Sequence, residues 1–442
     1  KCRMSEVKIL IGTRSAVWTP MKELGLIVVD EEHDSSYKQQ EGLLYSARDV
    51  AVKRGQLEKI PIVLGSATPS LETLANVSIG KYEETKIEHR AKEATKPIQK
   101  LVDLGSEKIE NGIGENLISE MKENLDRGGQ VLLFLNRRGY APTMMCSNCG
   151  VGQVCRFCDR HLVFHKAPGF LMCHHCGWKT DLRSVSRCCD RQHLFDLGVG
   201  TEKVEEAIRA RFPGKVIDRI DRDKVRNLEA IKRVFEKMTN REIDILIGTQ
   251  MIAKGLDFSG ITLVGIIDAD SRLYSADYKS EERLAQLLTQ VAGRSGRASE
   301  VGSVLIQSHQ PKHPVLQQIV YGGYRSYSSA ALLERREMRL PPFAALAVLR
   351  AEASSEARAE RFLCFARRLL VESAEGSDMF VSDPIPAVIQ RRGGRFRNLV
   401  VLQCTQKRTM QKVLSKCILK IEDIGRKIRT RWSLDVDPEE TA

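Results

Sequence analysis

Nowhere in the 442 residues does an apolar run approach the roughly 20 residues that a membrane-spanning helix needs. Nor does the chain, which opens at Lys1, begin with the basic and then apolar stretch of a secretory signal. A cytoplasmic location without a membrane partner is therefore the expectation. Acidic side chains are also scarce: 57 aspartates and glutamates face 69 lysines and arginines, a formal net charge of +12. That balance points to a polyanionic partner or, more plainly, to a generally basic surface, and it does not separate DNA from RNA.

What is present suffices for about three domains of roughly 150 residues, each able to bury its own core. Hydrophobic residues make up 42%, the value of an ordinary globular chain. Twelve cysteines in an intracellular setting argue for metal ligands or core thiols over disulfides.

The chain is organised around Leu26-Ile27-Val28-Val29-Asp30-Glu31-Glu32-His33. The apolar run predicts a strand buried on both faces of a parallel sheet, with acids at its carboxyl end, where open α/β sheets bind ligands. In a nucleotide-hydrolysing motor Asp30 would hold Mg²⁺ through water and Glu31 would orient the attacking water. A solvated acidic loop is the simpler alternative.

Before it, Val7–Ile11 reads as a strand leading to Gly12-Thr13-Arg14-Ser15, a turn able to hold a phosphate backbone or simply to start a helix. After it, Tyr37, Lys38 and Tyr45 lie in a polar loop; such rings stack on single-stranded bases or else cover a core. Helical spacing runs over 47–57. A second strand, 61–64, empties into Gly65-Ser66-Ala67-Thr68-Pro69-Ser70, read as a relay for nucleotide-dependent movement, as a helix cap by Ser70, or as both. Residues 81–114 read as a connection, and a second sheet begins at Gln130.

Cys146/Cys149, Cys155/Cys158 and Cys173/Cys176 are three Cys-x-x-Cys pairs, each spaced to place two thiolates on one tetrahedral zinc. Cys188 and Cys189 follow, but two Cys₄ sites need an eighth ligand and Arg191 stands in its place, leaving Cys189 or His193 to substitute. Two zinc ions are the expectation, one of them on Cys155, Cys158, Cys173 and Cys176. The α/β pattern then resumes with helices over 201–212 and 227–238, and strands at 216–220, 244–247 and 263–267. The helix from Glu281 carries Gln290, Arg294 and Arg297; two arginines three apart would reach a triphosphate across a cleft, or would be a surface pair. Beyond Pro341-Pro342, a helix over 356–373 and strands near Val388 and Leu399 flank Arg391, Arg392, Arg395 and Arg397. These arginines surround two glycines and read as a cationic loop for phosphates or a solvated hairpin tip.

Asp-Glu-Glu-His, Gly-Ser-Ala-Thr-Pro-Ser, Gly-Thr-Gln-Met-Ile-Ala-Lys-Gly from Gly248, and Gln-Val-Ala-Gly-Arg-Ser-Gly-Arg from Gln290 occur in that order. Together with the cysteine-rich insert, Leu-Pro-Pro-Phe at 340 and Trp-Ser-Leu-Asp-Val-Asp-Pro from Trp432, they resemble superfamily 2 helicases of the bacterial replication restart type. The resemblance implies an α/β fold: two RecA-like lobes, the first incomplete, a zinc insert in the second, and a C-terminal α+β domain. The corresponding divisions are 1–95 for lobe 1, 96–143 for the connection and start of lobe 2, 144–198 for the insert, 199–335 for the rest of lobe 2, and 336–442 for a DNA-binding domain.

It also implies roles. Asp30, Glu31, His33, Gln290, Arg294 and Arg297 would form the site for ATP with Mg²⁺. Ser66, Ala67, Thr68, Lys254, Gly255 and Asp257 would couple it to movement. Thr13, Arg14, Tyr37, Lys38, Tyr45 and the four arginines of the C-terminal loop would hold DNA. The implied partners are branched and single-stranded DNA, other primosome proteins, single-stranded DNA-binding protein and the replicative helicase loader. The implied activity is ATP-driven 3′-to-5′ unwinding at abandoned forks.

Three departures qualify this. No Gly-x-x-x-x-Gly-Lys-Ser/Thr phosphate loop occurs in these residues, so a truncated or split product that hydrolyses ATP poorly alone is expected. Leu43-Leu44 stands where the family tends to have Pro-Arg, and Arg191 replaces the eighth cysteine. A non-catalytic, zinc-dependent DNA-binding scaffold is the competing reading.

Overall fold

The computed structural model describes residues 6–87, 97–135, 144–146, 153–157, 162–165, 169–173, 177–181, 194–196, 201–220, 228–248, 260–275, 277–293 and 302–441. These divide into two compact units, one of 1–84, 332–385 and 390–441, the other chiefly of 85–331.

In the first unit, strand Ile27–Val29 pairs in parallel with Ile62–Leu64, and Val29 lies opposite Leu64. Because both strands end at the same level, the loops 30–33 and 65–68 emerge side by side. Helix Ala47–Glu58 connects the strands; Ser46 caps it by accepting from the Asp49 amide, and Lys59 closes it in the left-handed region. A Cβ at Gly55 would crowd the Ile62 side chain and force it to shift, so the helix lies close on that strand. Ser70 caps helix Leu71–Ser78 by accepting from the Thr73 amide.

Two expectations fail in this segment. Residues 7–11 form no strand: Ile9 and Ile11 are exposed and only a 3-10 turn, Arg14–Trp18, follows. The strand at 27–29 is covered on one face alone, with Val29 buried and Val28 60% exposed. Successive side chains point to opposite faces, and no described layer packs on the Val28 side.

The rest of the first unit is an antiparallel sheet with Ala345–Ala353 between Arg395–Cys404 and Arg431–Val436. Alternate residues Ala345, Ala347, Leu349, Ala351 and Ala353 face one core with helices Glu356–Ser373 and Lys407–Ile428. Small alanines let these helices lie close on the sheet, and Phe362 stacks on Trp432.

The second unit is built on a six-stranded parallel sheet in the order 217–220, 245–248, 130–134, 261–266, 303–308, 98–103. Its central strand, Gln130–Phe134, is buried throughout, as an apolar run in a parallel sheet should be. Strand Ile98–Asp103 corrects the reading of 81–114 as connection only, since it pairs along its length with Ser303–Ser308. Exposed and half-buried residues alternate over Ile98–Leu101 and only Val102 is buried, the pattern of an edge strand with little apolar signal. Met144–Cys146 pairs antiparallel with Leu194–Asp196, which brings the two ends of segment 147–193 together at one place, as an insert requires. Within it, Val163–His165, Phe170–Met172 and Lys179–Asp181 form a small antiparallel sheet. No helix among the described residues is long and apolar enough to cross a membrane.

Candidate nucleotide and metal sites

The acidic loop is fixed by the neighbouring strand end. The Gly65 amide donates to the Val29 carbonyl at 2.8 Å, and the Glu32 amide to the Gly65 carbonyl at 3.0 Å. Between them Glu31 adopts φ 47°, a left-handed conformation that a non-glycine residue holds only where its surroundings enforce it. The three acids therefore part ways. Asp30 and Glu31 are exposed, with Asp30 Oδ1 accepting from the Glu31 amide at 3.0 Å, whereas Glu32 is buried.

Glu32 accepts from the Ser70 amide at 2.7 Å and from Arg48 Nη1 at 3.2 Å. Burial works against the Arg48 charge, but Asp49, Glu72 and Glu32 outweigh it and raise its pKa. This Glu32–Arg48–Ser70 brace escaped the sequence reading. Its one signal was a third consecutive acid where two suffice for a nucleotide site.

His33 Nδ1 lies 2.7 Å from Ser66 Oγ and 3.5 Å from Glu31 Oε2. Ser66 Oγ also accepts from the Thr68 amide at 2.9 Å, and Thr68 Oγ1 is buried with no hydrogen-bond partner among the described residues. The acidic loop and the small hydroxyl loop are thus joined through one imidazole. The Tyr37 hydroxyl donates to the Asp30 carbonyl at 2.7 Å, and burial, then the charges of Asp30, Asp34 and Glu31, raise its pKa.

The residues read as DNA ligands are placed variously. Lys38 is corrected: only 4% exposed, its ammonium is 2.9 Å from Asp435 and donates to the carbonyls of Val436 and Asp437. A buried cation already neutralised has nothing left for a phosphate. Arg14 donates to the carbonyls of Ser36 and Lys38 and so holds the loop from the other side. Tyr45 packs edge-on against Trp18 at 5.2 Å, and Thr13 precedes the 3-10 turn without a side-chain cap bond. Gly393 and Gly394, both at positive φ, make a tight two-residue turn between Ile385–Arg392 and Arg395–Cys404. Arg391 and Arg392 are exposed beside it; Arg391 also lies over Phe396, and Arg397 pairs with Glu352 at 3.0 Å. Arg395 is half-buried at the start of the second strand.

In the second unit Gln290 lies near the end of helix Ser280–Ala292. Arg294, Arg297, Lys254, Gly255 and Asp257 fall outside the described residues, as do Cys149, Cys158, Cys176, Cys188, Cys189 and His193. Cys146 ends the strand that pairs with Leu194–Asp196. Cys155 and Cys173 are fully buried in one cluster with Leu162 and Leu171, flanked by Phe164 and Trp178.

Three family models match. Residues 336–439 match the primosomal protein N C-terminal domain, 155–180 the PriA DNA helicase Cys-rich region domain, and 200–299 the helicase conserved C-terminal domain. The replication restart protein PriA of Haemophilus influenzae is 39% identical over 440 residues, covering all of this chain and 60% of that protein. The PriA of Rickettsia conorii is 39% identical over 439 residues, 98% of this chain and 66% of its own length. That of Bacillus subtilis is 35% identical over 449 residues, 99% and 55%.

The chain belongs to the PriA family. It spans between 55% and 66% of the length of these three relatives. Its fold is that of the family's helicase core with a cysteine-rich zinc region and a C-terminal domain. The PriA Cys-rich match encloses both the Cys155 and the Cys173 pair. One thiol from each pair lies in a single buried cluster, the arrangement that a shared tetrahedral zinc demands, so the residues present fit the metal.

Proposed function

We propose that this chain carries the working parts of an ATP-dependent 3′-to-5′ DNA helicase that acts at abandoned forks and prepares them for primosome assembly. The observation that carries the reading is the paired strand end. It puts two carboxylates, Asp30 and Glu31, in solvent at the end of a parallel strand, and ties the adjoining His33 to Ser66 on the neighbouring loop. Asp30 would hold Mg²⁺ through water, and the ion would neutralise phosphate charge. Glu31, in its enforced backbone conformation, would orient the attacking water. His33 would pass a change at Glu31 to Ser66, Ala67 and Thr68. Gln290, Arg294 and Arg297 would bind the nucleotide's phosphates, with Lys254, Gly255 and Asp257 coupling hydrolysis to movement.

Zinc would be held by Cys155, Cys158, Cys173 and Cys176. A second ion would take Cys146, Cys149 and Cys188 with Cys189 or His193, for two per chain, and these metals would supply folding energy to the small insert. Branched and single-stranded DNA are the nucleic acid partners. Other primosome proteins, single-stranded DNA-binding protein and the replicative helicase loader are the protein partners, in the cytoplasm. The four divisions after residue 96 and the lobe before it remain the domain reading.

These residues hold no phosphate-loop lysine, so the chain alone hydrolyses ATP poorly; this same feature favours the second reading, a DNA-binding scaffold without catalysis. ATP hydrolysis with and without forked DNA separates the two. It is measured on this chain and on a fusion that adds a phosphate-loop segment from a PriA relative. DNA-stimulated hydrolysis in the fusion, lost in Glu31→Gln, supports the helicase. DNA binding without hydrolysis in either protein supports the scaffold.

A further inference from the structure

We propose that Arg156, Phe157 and Trp178 form a stacking platform for the bases of a single-stranded nucleic acid on the cysteine-rich insert. Phe157, between the two cysteines of one Cys-x-x-Cys pair, leaves 65% of its surface in water. It meets Trp178 edge to face, with ring centroids 5.8 Å apart and planes at 85°. The Arg156 guanidinium lies 4.7 Å from the Phe157 ring centre and 5.1 Å from that of Trp178. Next along the chain, the exposed Lys179 sits 5.2 Å from the Phe170 ring.

A phenylalanine kept in solvent is not there for the core. The insert does have a core, of Cys155, Leu162, Leu171 and Cys173, and Trp178 packs against it while Phe157 does not join it. Trp178 is therefore anchored from below and braces the exposed ring and the guanidinium. What the surface offers is a flat apolar ring beside a flat cation, with a second cation one residue from the tryptophan. Nucleobases stack on rings and on guanidinium planes whatever their sequence, and the adjoining phosphates need positive charge. A protein partner would be met by the apolar ring but gives no reason for two cations over three rings, and the chain's net charge of +12 favours the polyanion.

The test uses the 442-residue chain and a fluorescein-labelled 20-mer of deoxythymidine at fixed salt, read by anisotropy and by quenching of Trp178. The tryptophan signal is isolated by replacing Trp18 and Trp432 with phenylalanine. Binding should quench Trp178. Phe157→Ala should weaken binding by roughly 5- to 100-fold, the loss typical of one stacked base, with zinc content unchanged. Phe157→Tyr should stay within about 2-fold, because it keeps a flat ring. Arg156→Ala should lower the slope of log affinity against log salt by about 1. An unquenched Trp178 in the bound complex, or Phe157→Ala binding as the parent does at equal zinc content, overturns the proposal and leaves the patch to a protein partner.

Discussion

The Lys38 ammonium stands 2.9 Å from the Asp435 carboxylate, linking a loop beside the acidic strand to the last strand of the C-terminal region nearly 400 residues away. Both side chains are buried, and Lys38 also donates to the carbonyls of Val436 and Asp437. The pair is not symmetric. Asp435 has a second cation, Arg350 Nη1 at 3.2 Å, whereas Lys38 has Asp435 as its carboxylate. Asp435→Asn therefore leaves two cations facing no charge and should cost about 3–5 kcal/mol of stability. Lys38→Met leaves Asp435 with Arg350 and should cost about 1–3 kcal/mol. Denaturant midpoints followed by tryptophan fluorescence measure both; equal losses would mean that Arg350 does not compensate.

His33 and Ser66 are expected to act as one device. In the phosphate-loop fusion, His33→Ala and Ser66→Ala should each abolish the stimulation of hydrolysis by DNA while leaving nucleotide affinity nearly unchanged. The double substitution should add little to either, since a broken link cannot be broken twice. Nucleotide titrations and steady-state rates with and without forked DNA check this. Additive losses would place the two residues in separate roles.

The sequence announced this link only through chemistry. A strand ending in Asp-Glu-Glu-His and another ending in Gly-Ser-Ala-Thr are visible as patterns, but that Val29 lies opposite Leu64, which sets the two ends level, is a matter of register. The fates of Glu31 and Glu32 were illegible for the same reason: adjacent identical side chains diverge because the backbone turns left-handed between strand and loop. Lys38 misled because charge in a polar loop reads as solvent-facing, and its partner comes from a strand almost 400 positions later. By contrast the helix at 356–373 and the start of the central strand at Gln130 were read to the residue, since the one carries an apolar periodicity and the other an unbroken apolar run.

The hairpin arginines should separate into exposed and engaged members. Arg391→Ala with Arg392→Ala removes two exposed charges flanking the turn, and should lower the salt slope of DNA binding by about 2. Arg397→Ala should lower it by much less, because its guanidinium already meets Glu352 at 3.0 Å. Affinities for forked DNA across a salt series make the comparison.

Zinc removal should act locally. A chelator removes the metal and should unfold the insert, whereas Cys173→Ser takes one ligand from the buried cluster and should unfold only the part of the insert around it; in both cases the six-stranded sheet keeps its own apolar core. Elemental analysis should fall from two zinc ions per chain in the parent to one in Cys173→Ser. Far-ultraviolet circular dichroism should show most of the helix content retained. His193→Ala giving the same fall from two to one would identify it as the replacement ligand, and a parent with less than one zinc per chain would refute the two-site reading.

Asp268 lies two residues beyond strand Ile261–Ile266, and its pKa is raised from the usual 3.8 to about 6, chiefly by burial; the charge of Asp270 adds to this, while the hydrogen bond from the Ser271 amide opposes it. A carboxyl whose pKa is higher in the folded chain binds its proton more tightly there than in the unfolded chain. Its contribution to stability is thus full below pH 3.8 and is lost as pH rises to about 6, after which the penalty is constant. Asp268→Asn keeps an oxygen for the Ser271 amide and never ionises. It should therefore be more stable than the parent at pH 7.5, by at most about 3 kcal/mol, and the advantage should shrink steadily between pH 6 and pH 4. Denaturant titrations of both proteins at four pH values test the sign. An advantage that grows on acidification would mean that Asp268 is held ionised by a cation, with its pKa lowered instead of raised.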